Sequence, residues 1–224
     1  MMSHFDAHAH EYRTILDRGL SVSGESGDFF LNGRVKWLGR RLNLLNHQPR
    51  RVLDYGCGTG AAAPVLRRVL GAQILGIDPS SEEILVARND HPDDEFALTR
   101  EFKPASDFDL VYCNGVFHHI PPAERREAVG RIYDALRPGG LFALWENNPW
   151  NPGTRWVMSR LPFDRDAVTL TGPESCRLLR EGGFQVIQHD FLFVFPRMLR
   201  ALRGIEPYLA RFPIGAQYLS LGRK

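Results

Sequence analysis

The sequence lacks any apolar run approaching the ~20 residues a helix needs to cross a bilayer. Its strongest, FLFVF, covers only residues 191–195. Cysteine is scarce: Cys57, Cys113 and Cys176 stand far apart with no CxxC spacing, which excludes a disulfide framework and a zinc ribbon. Charge of one sign is missing too, because 28 Lys and Arg against 26 Asp and Glu leave a formal net charge of +2. That balance gives no footprint for nucleic acid and does not resemble an acidic disordered tail. The opening residues, MMSHFDAHAHEYR, carry no apolar core of a signal peptide. His4, His8 and His10 have a spacing a metal could use, but they sit in a polar terminus, and the expectation is a frayed end with no metal site. There is no internal repeat and no low-complexity stretch. These absences predict a soluble, cytoplasmic chain with reduced thiols.

What is present is the composition of an ordinary globular protein: 224 residues, 43% apolar and 24% charged. At ~150 residues per domain, one α/β domain with appendages is expected. Val35, Leu38, Leu42 and Leu45 recur at spacings of three and four, predicting an amphipathic helix over 34–46. From residue 51 strands and helices alternate: strands at 51–55, 73–77, 95–99, 108–113 and 141–146, helices at 61–70, 80–88 and 123–136. Ser80 or Ser81 supplies the cap of the second of these helices. Unalternating apolar strands separated by helices predict a parallel sheet covered on both faces, with right-handed crossovers. The rhythm then changes to a proline-rich loop over 147–170, a helix over 173–181, and strands at 184–195 and 216–221.

The sharpest motif is Leu53-Asp54-Tyr55-Gly56-Cys57-Gly58-Thr59-Gly60, closing the first strand. A glycine-rich turn between a parallel strand and a helix brings backbone close to a ligand and aims helix N–H groups at negative charge. A plain tight turn explains one or two glycines, not three at alternate positions behind a carboxylate. Gly56, Gly58 and Ala61 can also be read as a dinucleotide fingerprint, with Asp78 as the ribose-binding acid. An NAD(P)-dependent oxidoreductase is therefore a rival. Asp54 would repel a pyrophosphate and would suit a ligand bearing an ammonium group.

LDYGCGTG resembles the first motif of the class I S-adenosylmethionine-dependent methyltransferases. GIDPS (76–80) is similar to their second motif, FDLVYCNGVFHHI (108–120) to the fourth-strand motif, and LRPGGLFAL (136–144) to the turn entering the fifth strand. The resemblance implies a Rossmann-like α/β fold, a seven-stranded mostly parallel sheet with an antiparallel last strand and helices on both faces. It implies a cofactor-binding core at 49–146, a helical lid at 1–48, and a substrate-side loop with closing strands at 147–224. By the same resemblance the backbone of Gly56, Cys57, Gly58 and Gly60 wraps the methionine part of S-adenosylmethionine. Asp54 helps hold its amino end, Asp78 with Pro79 takes the ribose hydroxyls, and Asn114 passes the cofactor at the fourth strand end. Arg34, in the lid, would pair with its carboxylate. The family's acid after the third strand has no clean counterpart: Glu101 is the candidate for the adenine, and Phe102 could stack on it.

Methyl transfer needs donor and acceptor held in line, and a base only where the acceptor arrives protonated. His118 and His119, following the fourth strand, are candidates for that base, although one of them could simply pack against the next loop. Glu146 could position an acceptor, act as its base, or cap the proline-rich loop. Trp145, Trp150, Trp156 and Phe163 are expected in packing or in a loop suited to an apolar acceptor. Residues 191–212 carry Arg197, Arg200, Arg203 and Arg211 among apolar residues, read as an amphipathic cover helix with at most peripheral membrane contact. The expected function is methyl transfer to a small or lipid-like acceptor at O, N or C, without nucleic acid. The alternatives are the oxidoreductase and a non-catalytic S-adenosylmethionine-binding protein.

Overall fold

The computed structural model describes residues 19, 23–164 and 166–224, and the side chain of Phe163 is outside that description. His4, His8 and His10 also lie outside the described residues. Seven strands form one sheet: β1 (Arg51–Tyr55), β2 (Gln73–Asp78), β3 (Glu95–Leu98), β4 (Phe108–Asn114), β5 (Leu136–Asn147), β6 (Gln185–Leu192) and β7 (Gln217–Arg223). Their order is β3-β2-β1-β4-β5-β7-β6, and β7 runs antiparallel to both of its neighbours. The predicted sheet and its antiparallel last strand are therefore present.

The strands are apolar on both faces because both faces are covered. Alternate residues divide between two cores: Val52, Leu110 and Leu141 face one, and Leu53, Val111 and Phe142 the other. The first core is closed by α1 (Gly27–Leu44), α2 (Ala63–Leu70) and α3 (Ser81–Asp90) through Val35, Leu38, Leu66 and Ile84. The second is closed by α4 (Arg125–Ala135) and α6 (Gly172–Glu181) through Val129, Ile132 and Leu179. Ser80 caps α3 by accepting the Glu83 N–H, as its sequence position predicts.

Three expectations need correction. The first helix begins at Gly27, seven residues earlier than its apolar spacing indicates. It also packs as a layer of the core instead of hovering over it. Trp37 and Arg41 donate to the fully buried Asp190 at 2.9 and 2.8 Å, tying α1 to β6. Within the proline-rich loop, α5 (Pro152–Met158) forms because Asn151 caps it, its side chain accepting the Thr154 N–H, and Pro152 occupies a first-turn position where no N–H is needed. The arginine-bearing segment is not an α-helical cover. It is a 3-10 stretch, Arg197–Ile205, kinked at Leu199, followed by the short α7 (Glu206–Leu209), and neither buries a residue. Among the described residues, no helix is long and apolar enough to cross a membrane.

Candidate active site

The sheet order reverses between β1 and β4, and their carboxyl ends open the crevice where ligands bind in such sheets. The loop leaving β1 lies at one side of it. Gly56 and Cys57 both donate backbone N–H groups to the Ile77 carbonyl, at 2.8 and 3.0 Å, which folds the loop over the end of β2. Gly56 has φ +75°, and a Cβ there would lie 2.4 Å from Val116 Cγ2. Gly60, at φ +77°, would set a Cβ 2.8 Å from the Phe96 ring. Both positions combine left-handed backbone with no room for a side chain, so the glycines are steric requirements.

Asp78 closes the loop from β2. Its Oδ2 accepts the Gly58 N–H at 3.0 Å and its Oδ1 the Ser80 N–H at 2.9 Å. The carboxylate thus locks the glycine loop to the start of α3. Pro79 beside it is exposed. Asp54, 2% exposed beneath the loop, has no hydrogen-bond partner on Oδ2. Burial, reinforced by the charge of Asp78 and only partly opposed by Arg34, pushes its carboxyl up to about 7. Burial also raises the Cys57 thiol well above its ordinary range, so it is a neutral lining group.

Arg34 is neither a solvated charge nor a residue at a helix start. It is 8% exposed in mid-helix, donating from Nε to the Tyr112 hydroxyl at 3.2 Å and from Nη1 to Gln217 Oε1 at 2.9 Å. Tyr112 and Gln217 were not legible as site residues, since one sits in an apolar strand and the other in a short terminal run. Glu101, by contrast, is exposed after β3, and Phe102 packs toward Phe108 in the core, their centroids 6.0 Å apart.

On the other side of the crevice lies a cavity of about 360 Å³. Arg34, Asn114, Phe30, Phe193, Met158 and His119 are among its walls. Gly115, at φ +68°, anchors its N–H on the Trp145 carbonyl and turns the chain from β4 into the histidine pair. Glu146, at the end of β5, is 2% exposed; its Oε1 accepts the Phe117 N–H at 2.7 Å and its Oε2 lies 2.6 Å from His118 Nδ1. The carboxylate is thereby committed to the turn and does not face an acceptor or cap the proline-rich loop. His118 Nε2 and His119 Nε2 each lie 3.5 Å from Asp164 Oδ1. Burial alone would lower the His118 imidazole, but Glu146 and then Asp164 outweigh it and raise it to about 10. His119 is driven the other way, to about 4, by burial and by the charge of His118. The pair therefore divides into a buried imidazolium and a neutral imidazole at the cavity wall.

Asp164 escapes sequence reasoning because it sits in an aperiodic loop. Packing brings it in: Arg125 donates to the Ile120 carbonyl at 2.9 Å and to the Val168 carbonyl, and the Val168 N–H meets the His118 carbonyl at 2.8 Å. Trp145 is fully buried, Trp150 stacks on Phe191, and Trp156 lies under Arg160.

A glycine loop latched by an acid at the second strand end, on this strand order, defines a Rossmann-like methyltransferase fold. The chain belongs to the methyltransferase-domain family, whose profile matches residues 31–193. It is 26% identical over 190 residues to a demethylmenaquinone methyltransferase of Thermus thermophilus, covering 80% of this chain and 84% of that one. It is 31% identical over 140 residues to a sterol 24-C-methyltransferase of Kluyveromyces lactis, covering 58% of this chain and 33% of that one. A ubiquinone biosynthesis O-methyltransferase of Bradyrhizobium is 32% identical over 125 residues, covering 50% of this chain and 48% of the relative. The chain thus spans between a third and a half of the length of the last two. Among solved structures, a TehB-like S-adenosylmethionine-dependent methyltransferase of Corynebacterium glutamicum has the same fold, with TM-score 0.63, 20% identity, and 97% and 98% of the two chains covered.

Proposed function

We propose that the chain transfers a methyl group from S-adenosylmethionine to a small acceptor with an apolar body, at oxygen, nitrogen or carbon. The observation that carries the cofactor is Asp54, a buried carboxylate oxygen without a partner beneath a glycine loop. An ammonium group placed there would satisfy it, whereas a dinucleotide pyrophosphate would meet repulsion, which disfavours the oxidoreductase alternative. The backbone of Gly56, Cys57, Gly58 and Gly60 takes the methionine part. Asp78 receives the ribose hydroxyls beside Pro79, and Asn114 borders the cofactor at β4. Among the described residues Arg34 uses two of its five N–H donors, on Tyr112 and Gln217, and the others suit a carboxylate. The adenine contact assigned to Glu101 has no support from its exposed position.

The cofactor supplies an electrophilic methyl on a sulfonium, and this chain's residues orient the acceptor and remove its proton. Residues 49–146 supply the cofactor loops and also the histidine pair, while 147–224 add Met158, Asp164 and Phe193 to the acceptor cavity. The first turn of α1 walls the cavity through Gly27, Phe29 and Phe30, and residues 1–18 and 20–22 of the lid expected over 1–48 lie outside the described residues. Glu146 acts as a positioning residue that fixes His118. His119, held neutral, is the proposed proton acceptor for a hydroxyl or amine. Phe30, Phe193 and Met158 suit an apolar acceptor, in keeping with the sterol and quinone relatives. The free thiols Cys57, Cys113 and Cys176 fit a reducing cytoplasm. Supplying methyl-labelled cofactor with a panel of quinols, sterols, phenols and polyacids tests this reading. Label should pass to an apolar acceptor and drop at least tenfold in His119→Ala; tight cofactor binding with no transfer to any class would instead favour the non-catalytic alternative.

A further inference from the structure

On the acceptor side of the cavity the histidine pair meets Asp164, a donor set that can do more than take a proton. We propose that His118, His119 and Asp164 bind a divalent cation there, with Glu146 orienting His118. The three ligand atoms all lie within 4.8 Å of one another. Both imidazole Nε2 atoms stand 3.5 Å from the same oxygen, Asp164 Oδ1. Donors bound at ~2.1 Å with angles of ~90–110° lie ~3.0–3.4 Å apart, so the two contacts to Asp164 are close to bonded spacing while the imidazole nitrogens, within 4.8 Å of each other, must draw together.

The surroundings agree with a metal centre in three respects. Two imidazoles and one carboxylate on one side of an ion leave open positions, here directed at the cavity that both histidines and Asp164 line. Glu146 lies 2.6 Å from the far nitrogen of His118, Nδ1, which is the carboxylate contact that orients a ligating imidazole and leaves Nε2 for the ion. The ligands also come from separate parts of the chain, the β4 exit and the loop after α5. Arg125 pins them together through the Ile120 and Val168 carbonyls. Nitrogen donors outnumber oxygen, so the set favours zinc, cobalt, nickel, iron or manganese over magnesium or calcium.

This inference rests on the acceptor-side reading given above and deepens it. A cation with open positions in the cavity selects acceptors carrying two adjacent oxygens, such as a vicinal diphenol or a hydroxycarbonyl compound. Both imidazoles bind in their neutral form, releasing any proton at Nε2, and with the ion bound the cation takes over from His119 in helping the attacking oxygen lose its proton. The full chain bearing His4→Ala, His8→Ala and His10→Ala, which removes the terminal histidines as competitors, is titrated with cobalt(II). Calorimetry and visible ligand-field absorption report binding, and S-adenosylhomocysteine affinity is measured on the same samples. One equivalent of cobalt should bind. Asp164→Ala or His119→Ala should weaken it at least 100-fold and Glu146→Gln about 10–100-fold, with the cofactor-product affinity of His119→Ala unchanged. Absence of binding, or cobalt affinity unaltered in both Asp164→Ala and His119→Ala, overturns the proposal. Cobalt binding without S-adenosylhomocysteine binding would uphold the metal site and defeat the cofactor assignment, so the two failures are distinguishable.

Discussion

Asp54 stands at the residue scale as the group whose state the ligand must change. Its folded value of about 7 lies above the ordinary 3.8, so the folded chain holds a proton that the unfolded chain releases between those limits. Stability from this group is present at low pH and lost as pH rises through that window, by on the order of 4 kcal/mol. Denaturant midpoints of the ligand-free protein at pH 5 and pH 8, compared with Asp54→Asn, should show a larger alkaline loss in the wild type. Identical pH trends would remove the orphaned carboxylate from the account. Glu146 predicts differently: replacing it with alanine leaves His118 buried and the Phe117 N–H unpaired. The loss expected is ~3–5 kcal/mol, read from the same denaturation curves.

At the scale of elements, the glycine loop is the piece that tolerates least change. Gly56→Ala meets both a positive φ and the Val116 methyl, and should cost ~1–3 kcal/mol along with cofactor affinity. Gly130→Ala, inside α4 with nothing within 4 Å of the added carbon, should be neutral or gain ~0.5–1 kcal/mol. Thermal unfolding of the two variants compares them directly. Elements whose apolar runs are bounded by glycine or proline, such as β1 at Arg51–Tyr55 and the strand entering Asn114, were readable from the sequence because both their faces are buried. The start of α1 was not. Gly27, Asp28, Asn32 and Gly33 break its apolar periodicity, and contact with the sheet and Phe193 stabilises what propensity does not. Helix α5 was hidden for the opposite reason, since Pro152 reads as a breaker in sequence yet occupies a first-turn position in the structure.

Over the whole molecule, the strand order places the glycine loop and the histidine pair on opposite sides of one crevice, and that division was legible from motif order along the chain. The acceptor side was legible only in part. His118, His119 and Glu146 announce themselves by following strand ends, whereas Asp164, Tyr112 and Gln217 join them through packing between segments distant in sequence. Residues that bind a cofactor through backbone leave glycine signatures, but residues that shape an acceptor pocket leave none.

The proposed occupant of this crevice is a sulfonium-bearing nucleoside amino acid whose sugar Asp78 would hold. Titration calorimetry of S-adenosylmethionine and NADH against the wild type and Asp78→Asn tests it most directly. One site is expected for S-adenosylmethionine, none for NADH, and at least a tenfold weaker site in the variant. Equal affinity in the variant, or a saturable NADH site in the wild type, would contradict it.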